Sequence, residues 1–258
     1  MHSTEEKLKA FKRLLDVMDQ LRDLCPWDRE QTMESLRNLT IEETYELADA
    51  IIEQDLDEVK KELGDLMLHI VFYSRIGSEK GAFDVADVLN GICDKLIFRH
   101  PHVFGERKVK DSGEVIENWE ELKMKEGHRS VLAGVPVSLP AMIKAHRIQD
   151  KVRAVGFDWE KRDQVWDKVS EEIREVKHEL NNGQEFEKME DEIGDLLFSV
   201  INAARLYNVE PETALERTNR KFIKRFTYLE NRAKALNRSL KEMSLEEMEE
   251  IWQEAKSR

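Results

Sequence analysis

Residues Ser170–Asp195 read SEEIREVKHELNNGQEFEKMEDEIGD. Glu172 and Glu175 are three apart, as are Glu192 and Asp195, and residues at this spacing share one face of a helix. The NNGQ segment between the pairs carries the turn signals that let two helices fold back antiparallel. Apolar residues flank each pair on neighbouring turns: Val169, Ile173 and Val176 on one side, Met189, Ile193, Leu196 and Leu197 on the other. The spacing therefore predicts a helical hairpin with four carboxylates converging near its middle, beside its buried stripe.

A second stretch of the same design, IEETYELADAIIEQDLDEVKKELGD, occupies Ile41–Asp65. There Glu43 and Glu46 match Glu172 and Glu175, and Glu62 and Asp65 match Glu192 and Asp195. Downstream, DKLIFR (Asp94–Arg99) matches RKFIKR (Arg220–Arg225), which aligns Lys95 and Arg99 with Lys221 and Arg225. A self-similarity of this kind, specific at polar positions, is the mark of an internal duplication.

The rest of the chain follows the same helical rhythm. Leu8, Phe11, Leu14, Leu15, Met18 and Leu21 form a stripe that CPWD (Cys25–Asp28) breaks. Helices are predicted over 33–52, 57–76, from a cap at Asp84 to Arg99, and over 141–154, 164–180, 185–207, 211–236 and 245–256. RHPHVFG (Arg99–Gly105) reads as an irregular loop, with Pro101 setting the backbone of His100 and His102. No alternating strand pattern occurs, so the fold class is all-α. GVPVSLP (Gly134–Pro140) is the clearest boundary. The expected domains are 1–112, a linker with a short helix over 113–138, and 139–258.

Composition excludes several function classes. The net charge of −13 opposes general attraction to nucleic acid or to an anionic membrane. No apolar run is long enough for a membrane span, and no secretory leader is read at the N-terminus. Cys25 and Cys93 make no disulfide framework, which suits a reducing cytoplasm. No glycine-rich phosphate loop is present, and GSEKGAF lacks the Walker pattern.

Four anions partly withdrawn from water repel one another and lose hydration, so protons or cations must compensate. Hard divalent ions bound through oxygen are the natural answer: Mg²⁺ first, with Mn²⁺ as a substitute. Zinc fits less well, since no His or Cys belongs to the cluster. One ExxE alone reads as a solvated face. Two copies, each followed by ExxD and then Lys-x-x-x-Arg, point to metal ions beside a cationic helix, which makes a polyphosphate site.

These residues resemble the MazG family of nucleoside triphosphate pyrophosphohydrolases, in its tandem two-domain bacterial form. EExxE followed by ExxD on the next helix is that family's signature, and CPWDREQT, EETYELADAI, ELGDLMLHIVFYSRI, RHPHVFG, GFDW and NRKFIKRF extend the resemblance over nearly the whole chain. It implies four-helix cores completed by pairing of two protomers, hence a homodimer. It also implies Mg²⁺-dependent cleavage between the α- and β-phosphates of ribo- and deoxyribonucleoside triphosphates, with a role in clearing non-standard nucleotides. Residue by residue, it implies that Glu172, Glu175, Glu192 and Asp195 hold metal, with Glu171 orienting a ligand or the attacking water. Lys221 and Arg225 hold phosphates, Lys168 reaches the nucleotide, and Trp252 and Lys256 close over base or phosphates. Glu43, Glu46, Glu62 and Asp65 form the matching metal set, with activity expected mainly in the C-terminal half.

Two other readings stay open on sequence: a helical regulatory protein with structural metal sites, and a hydrolase restricted to dUTP. Trp27 and Trp159 are expected as core anchors, and Trp252 serves equally as an anchor for the terminal helix.

Overall fold

A computed structural model describes residues 1–111, 113–115, 118, 122, 130–159, 161–182 and 185–256. Among them there are helices and turns but no strand. The chain is an all-α protein in two compact units, Met1–Lys110 and Asp111–Arg258. The segment expected as a linker falls in the second unit; the short helix expected there lies mostly outside the described residues.

The first unit is built from α1 (Thr4–Leu24), α2 (Pro26–Glu30), α3 (Met33–Glu53), α4 (Leu56–Glu79), α5 (Val85–Arg99) and α6 (Pro101–Phe104). Sequence-local chemistry sets its boundaries. Ser3 with Glu6, Thr32 with Ser35 and Asp84 with Asp87 form reciprocal capping pairs at the starts of α1, α3 and α5. Gln54 ends α3 in the left-handed region, at φ 60°, and Asp55 then caps α4 by accepting from the Asp57 and Glu58 amides. This two-residue joint folds α4 back along α3. The core gathers Met18, Leu36, Val71, Phe72 and Ile76.

Two expectations need correcting here. CPWD does interrupt α1, but Pro26 opens a short new helix, because a proline at the first helical position needs no N–H partner. Pro101 does the same for α6 inside the segment read as irregular. His100 caps the end of α5, its Nδ1 lying 2.6 Å from the Leu96 carbonyl oxygen.

The second unit contains α7 (Ala141–Arg153), α8 (Gln164–Asn182), α9 (Phe186–Leu206), α10 (Pro211–Ala235), a 3₁₀ turn at Leu240–Glu242 and α11 (Leu245–Lys256). Here α8 packs on α9, α9 on α7, and α10 on α11. Val165, Val169 and Ala203 knit α8 to α9, whereas Leu229, Ala233, Met243 and Ile251 join α10 to α11.

Both units leave apolar side chains in water. No residue of α5 is buried, and Leu89, Ile92, Leu96 and Phe98 are each at least 44% exposed. On α10, Phe222 and Ile223 are 56% and 62% exposed.

Gly77, near the end of α4, shows how tightly the first unit closes. A Cβ at this position would lie 2.7 Å from the Phe83 ring and 2.9 Å from its carbonyl oxygen. Helix propensity favours Ala over Gly by about 1 kcal/mol, but overpacking against a backbone oxygen costs about 1–3 kcal/mol. Gly77→Ala should therefore lower stability in urea unfolding. An unchanged or higher midpoint would show that the loop at Phe83 yields freely.

Candidate active site

In the second unit, one carboxylate oxygen each from Glu172, Glu192 and Asp195 lies within 4.8 Å of the others. The packing of α8 on α9 holds them there, with Glu172 on one helix and Glu192 and Asp195, three residues apart on one face, on the other. The Glu172 side chain is only 5% exposed. Lys168, one turn earlier, places Nζ 2.6 Å from Glu172 Oε1 and 2.9 Å from Glu171 Oε1. Its hydrogen bond to Glu172, and then that to Glu171, holds the ammonium well above the usual lysine range.

Glu175 stands outside this trio and is exposed. Its carboxyl is nevertheless pushed above the ordinary carboxylate value, first by lost hydration and then by Glu172, Glu192 and Glu171. A single lysine does not neutralise such a group. The donors are all hard oxygen, which fits a divalent cation of the Mg²⁺ or Mn²⁺ type.

The first unit repeats the trio with Glu43, Glu62 and Asp65, again within 4.8 Å. Glu46, like Glu175, lies outside it. Glu62 is 2% exposed, and its Oε2 has no hydrogen-bond partner. Lost hydration, followed by Asp65 and Glu46, raises the Glu43 carboxyl. The compensating ammonium is Lys61, 2.9 Å from Glu62 and on α4 rather than α3. Leu39 stands at the register of Lys168, and Asp191 at that of Lys61. The two sites thus take their lysine from opposite helices.

They also differ in what adjoins them. A cavity of about 700 Å³ in the second unit is bordered by Lys168, Glu172 and Asp195 together with Phe157, Trp159 and Phe198. Arg205, 4% exposed in its side chain, makes a two-pronged contact with Asp158 and donates to Asn202. This fixes the GFDW segment to α9. In the ELGD/EIGD register, Phe72 of the first unit replaces Asn202 and is itself part of the core, against which the partly buried Leu39 packs. Two cavities of the first unit, of about 200 and 310 Å³, are lined by residues other than its acidic trio.

The remaining predicted residues sit elsewhere. Lys221 and Arg225 lie on α10, and neither forms a hydrogen bond or ion pair among the described residues. Trp252 packs 5.0 Å from Phe222, with the Arg225 guanidinium 6.0 Å from its ring. Lys256 is exposed at the end of α11. None of these four lines the cavity. Trp27 and Trp159 are not core anchors: they are 56% and 40% exposed, and Trp159 faces the cavity.

The MazG nucleotide pyrophosphohydrolase domain matches this chain twice, over residues 31–104 and 161–229, and each match contains one acidic trio. The chain belongs to the MazG family. It is 43% identical over 257 residues to a nucleoside triphosphate pyrophosphohydrolase of Escherichia coli K12, covering 96% of this chain and 98% of that one. It is 40% identical over 251 residues to the nucleoside triphosphate pyrophosphohydrolase/pyrophosphatase MazG of Thermotoga maritima, covering 95% of each. It is also 44% identical to Bacillus subtilis YabN, an uncharacterized protein, covering 98% of this chain and 53% of that one.

Within this MazG chain, Gln149, Asn202, Asp158 and Arg205 border the cavity and escaped the sequence reading. One signal was available. Ser199, Asn202 and Arg205 recur every three residues through the otherwise apolar end of α9, and a polar stripe there is out of place on a core helix.

A carboxyl whose folded-state pKa is raised binds its proton more tightly when folded. Its penalty is full above the folded pKa and vanishes below the unfolded value near 4.5. In chelator, Glu175→Gln should therefore melt higher than the wild type at about pH 7.5, with the difference shrinking as pH falls towards about 4.5. Identical melting at neutral pH, or a gain that grows on acidification, would contradict the account.

Proposed function

We propose that this protein is a nucleoside triphosphate pyrophosphohydrolase that cleaves between the α- and β-phosphates. Water adds to the α-phosphorus, the α–β bridging P–O bond breaks, and nucleoside monophosphate and pyrophosphate leave. The observation that carries this reading is the second unit's acidic trio opening onto a cavity large enough for a nucleotide. Its relatives' names support the activity.

Glu172, Glu192 and Asp195, with Glu175 beside them, hold divalent metal, Mg²⁺ or alternatively Mn²⁺. The metal supplies Lewis-acid polarisation and charge neutralisation at the phosphates. Glu175, whose raised pKa suits a proton acceptor, takes the proton of the attacking water. Lys168 holds Glu171 and Glu172 in place and meets the nucleotide at the cavity edge. Lys221 and Arg225 offset the charge of the departing pyrophosphate, which requires them to approach the phosphates once substrate is bound.

Activity resides in the second unit, because Phe72 and Leu39 occupy the places of Asn202 and Lys168 in the first. The first unit's Glu43, Glu62 and Asp65 retain a metal set of structural or regulatory use. Several ribo- and deoxyribonucleotides are accepted, which suits a house-cleaning role on the nucleotide pool in the cytoplasm. The chain works as a homodimer, as the exposed apolar residues of α5 and α10 favour a protein partner.

Magnesium-dependent pyrophosphate release across a panel of triphosphates tests the activity. Glu175→Gln should reduce kcat by roughly a hundredfold or more, whereas Glu46→Gln should leave most of it. The reverse pattern would move catalysis to the first unit, and no release from any triphosphate would refute the enzyme. Ile92→Glu combined with Leu96→Glu should shift sedimentation from dimer to monomer. A wild type that already sediments as a monomer would remove the homodimer.

A further inference from the structure

The cavity of the second unit is mostly apolar beyond its charged groups, yet its wall contains two carboxamides, each with one polar atom left without a hydrogen-bond partner among the described residues. Gln149, on α7, is 3% exposed. Its Nε2 donates to the Phe198 carbonyl oxygen at 2.8 Å, and its Oε1 has no partner. Asn202 follows Phe198 by one turn on α9. Its Oδ1 accepts from Arg205 Nε at 3.0 Å and Nη2 at 2.8 Å. No partner for its Nδ2 occurs among the described residues.

A neighbour thereby fixes the orientation of each amide. Gln149 cannot turn over without losing the Phe198 carbonyl, and Asn202 cannot without losing Arg205, itself held by Asp158. The atoms left wholly unpartnered are one acceptor, Gln149 Oε1, and one donor, Asn202 Nδ2, on side chains that meet neighbouring turns of α9. A buried acceptor without a donor is costly, and a ligand that supplies the donor relieves that cost.

We propose that Gln149 and Asn202 read the Watson–Crick edge of the nucleobase, Gln149 Oε1 accepting a base N–H while Asn202 Nδ2 donates to the adjacent ring nitrogen or carbonyl. This rests on the cavity being the nucleotide site. Adenine and cytosine present an amino group beside a ring nitrogen; guanine, uracil and hypoxanthine present a ring N–H beside a carbonyl. A single donor–acceptor pair therefore suits all of them. The substrate class is any triphosphate whose base keeps an N–H next to an acceptor on this edge. Bases that lose the N–H to methylation are excluded.

Binding of the non-hydrolysable α,β-methylene triphosphates of uridine and N3-methyluridine to the full-length protein, with Mg²⁺ and by calorimetry, tests this directly. The wild type should prefer the uridine compound by roughly tenfold or more. Gln149→Leu should bring the two within about twofold, because the lost N–H and the lost acceptor belong to one contact. Asn202→Asp keeps an acceptor for Arg205 but loses the donor, so it should weaken the uridine, cytidine and adenosine compounds together by roughly tenfold.

Equal binding of the two uridine compounds by the wild type, or binding of neither, overturns the proposal even if Gln149→Leu does not fold. A preference that survives in folded Gln149→Leu overturns it as well. The hydrolase reading is tested separately by pyrophosphate release from UTP. A protein that binds with the expected preference but releases none sinks that reading alone, and one that turns over UTP while binding both analogues equally sinks only the base-reading pair.

Discussion

Like-charge repulsion between carboxylates drawn out of water is the constraint around which each unit is built. Two unit charges about 4 Å apart repel by about 4 kcal/mol at the effective dielectric of a protein surface. A fully buried aliphatic side chain returns about 1.5–3 kcal/mol. About two well-packed apolar residues are thus needed for every such contact, and the cores of the two units contain Leu36 and Val71, and Val165 and Val169. Lys61 and Lys168 relieve only part of the remainder, which is why Glu43 and Glu175 still hold protons more tightly than an ordinary carboxylate.

Duplication preserved that frustrated centre and let its surroundings diverge. In the second unit, α9 carries Ser199, Asn202 and Arg205 along one stripe, and the neighbouring space stays open. In the first, Phe72 takes the middle position of the same stripe and closes the core. Aromatic volume in one copy stands where the other has an oriented amide at the cavity wall.

Helix positions and three of the four carboxylates of each cluster were legible because both rest on local spacing, while Glu46 and Glu175, expected among them, lie outside. A three-residue interval fixes a shared face whatever the tertiary context, and caps such as Ser3, Thr32 and Asp84 announce themselves in sequence. The cavity was not legible in the same way. Gln149 comes from α7, a helix that precedes the acidic hairpin, and only packing shows that its amide meets the Phe198 carbonyl. Trp159 looked like a core residue because aromatics usually are, yet the Asp158–Arg205 pair anchors its segment and leaves the indole half in solvent. Pro26 and Pro101 misled for the opposite reason: a residue that ends helices also starts them.

The placement of the two lysines has a consequence for how such a fold recombines. A hybrid pairing α3 with α9 would inherit neither Lys61 nor Lys168, and its acid centre would carry no built-in counter-charge. The converse hybrid of α8 with α4 would inherit both and be left with one ammonium too many for a cation to compete with. The unit that can be exchanged between the halves without upsetting the charge balance is therefore the whole hairpin, never the single helix.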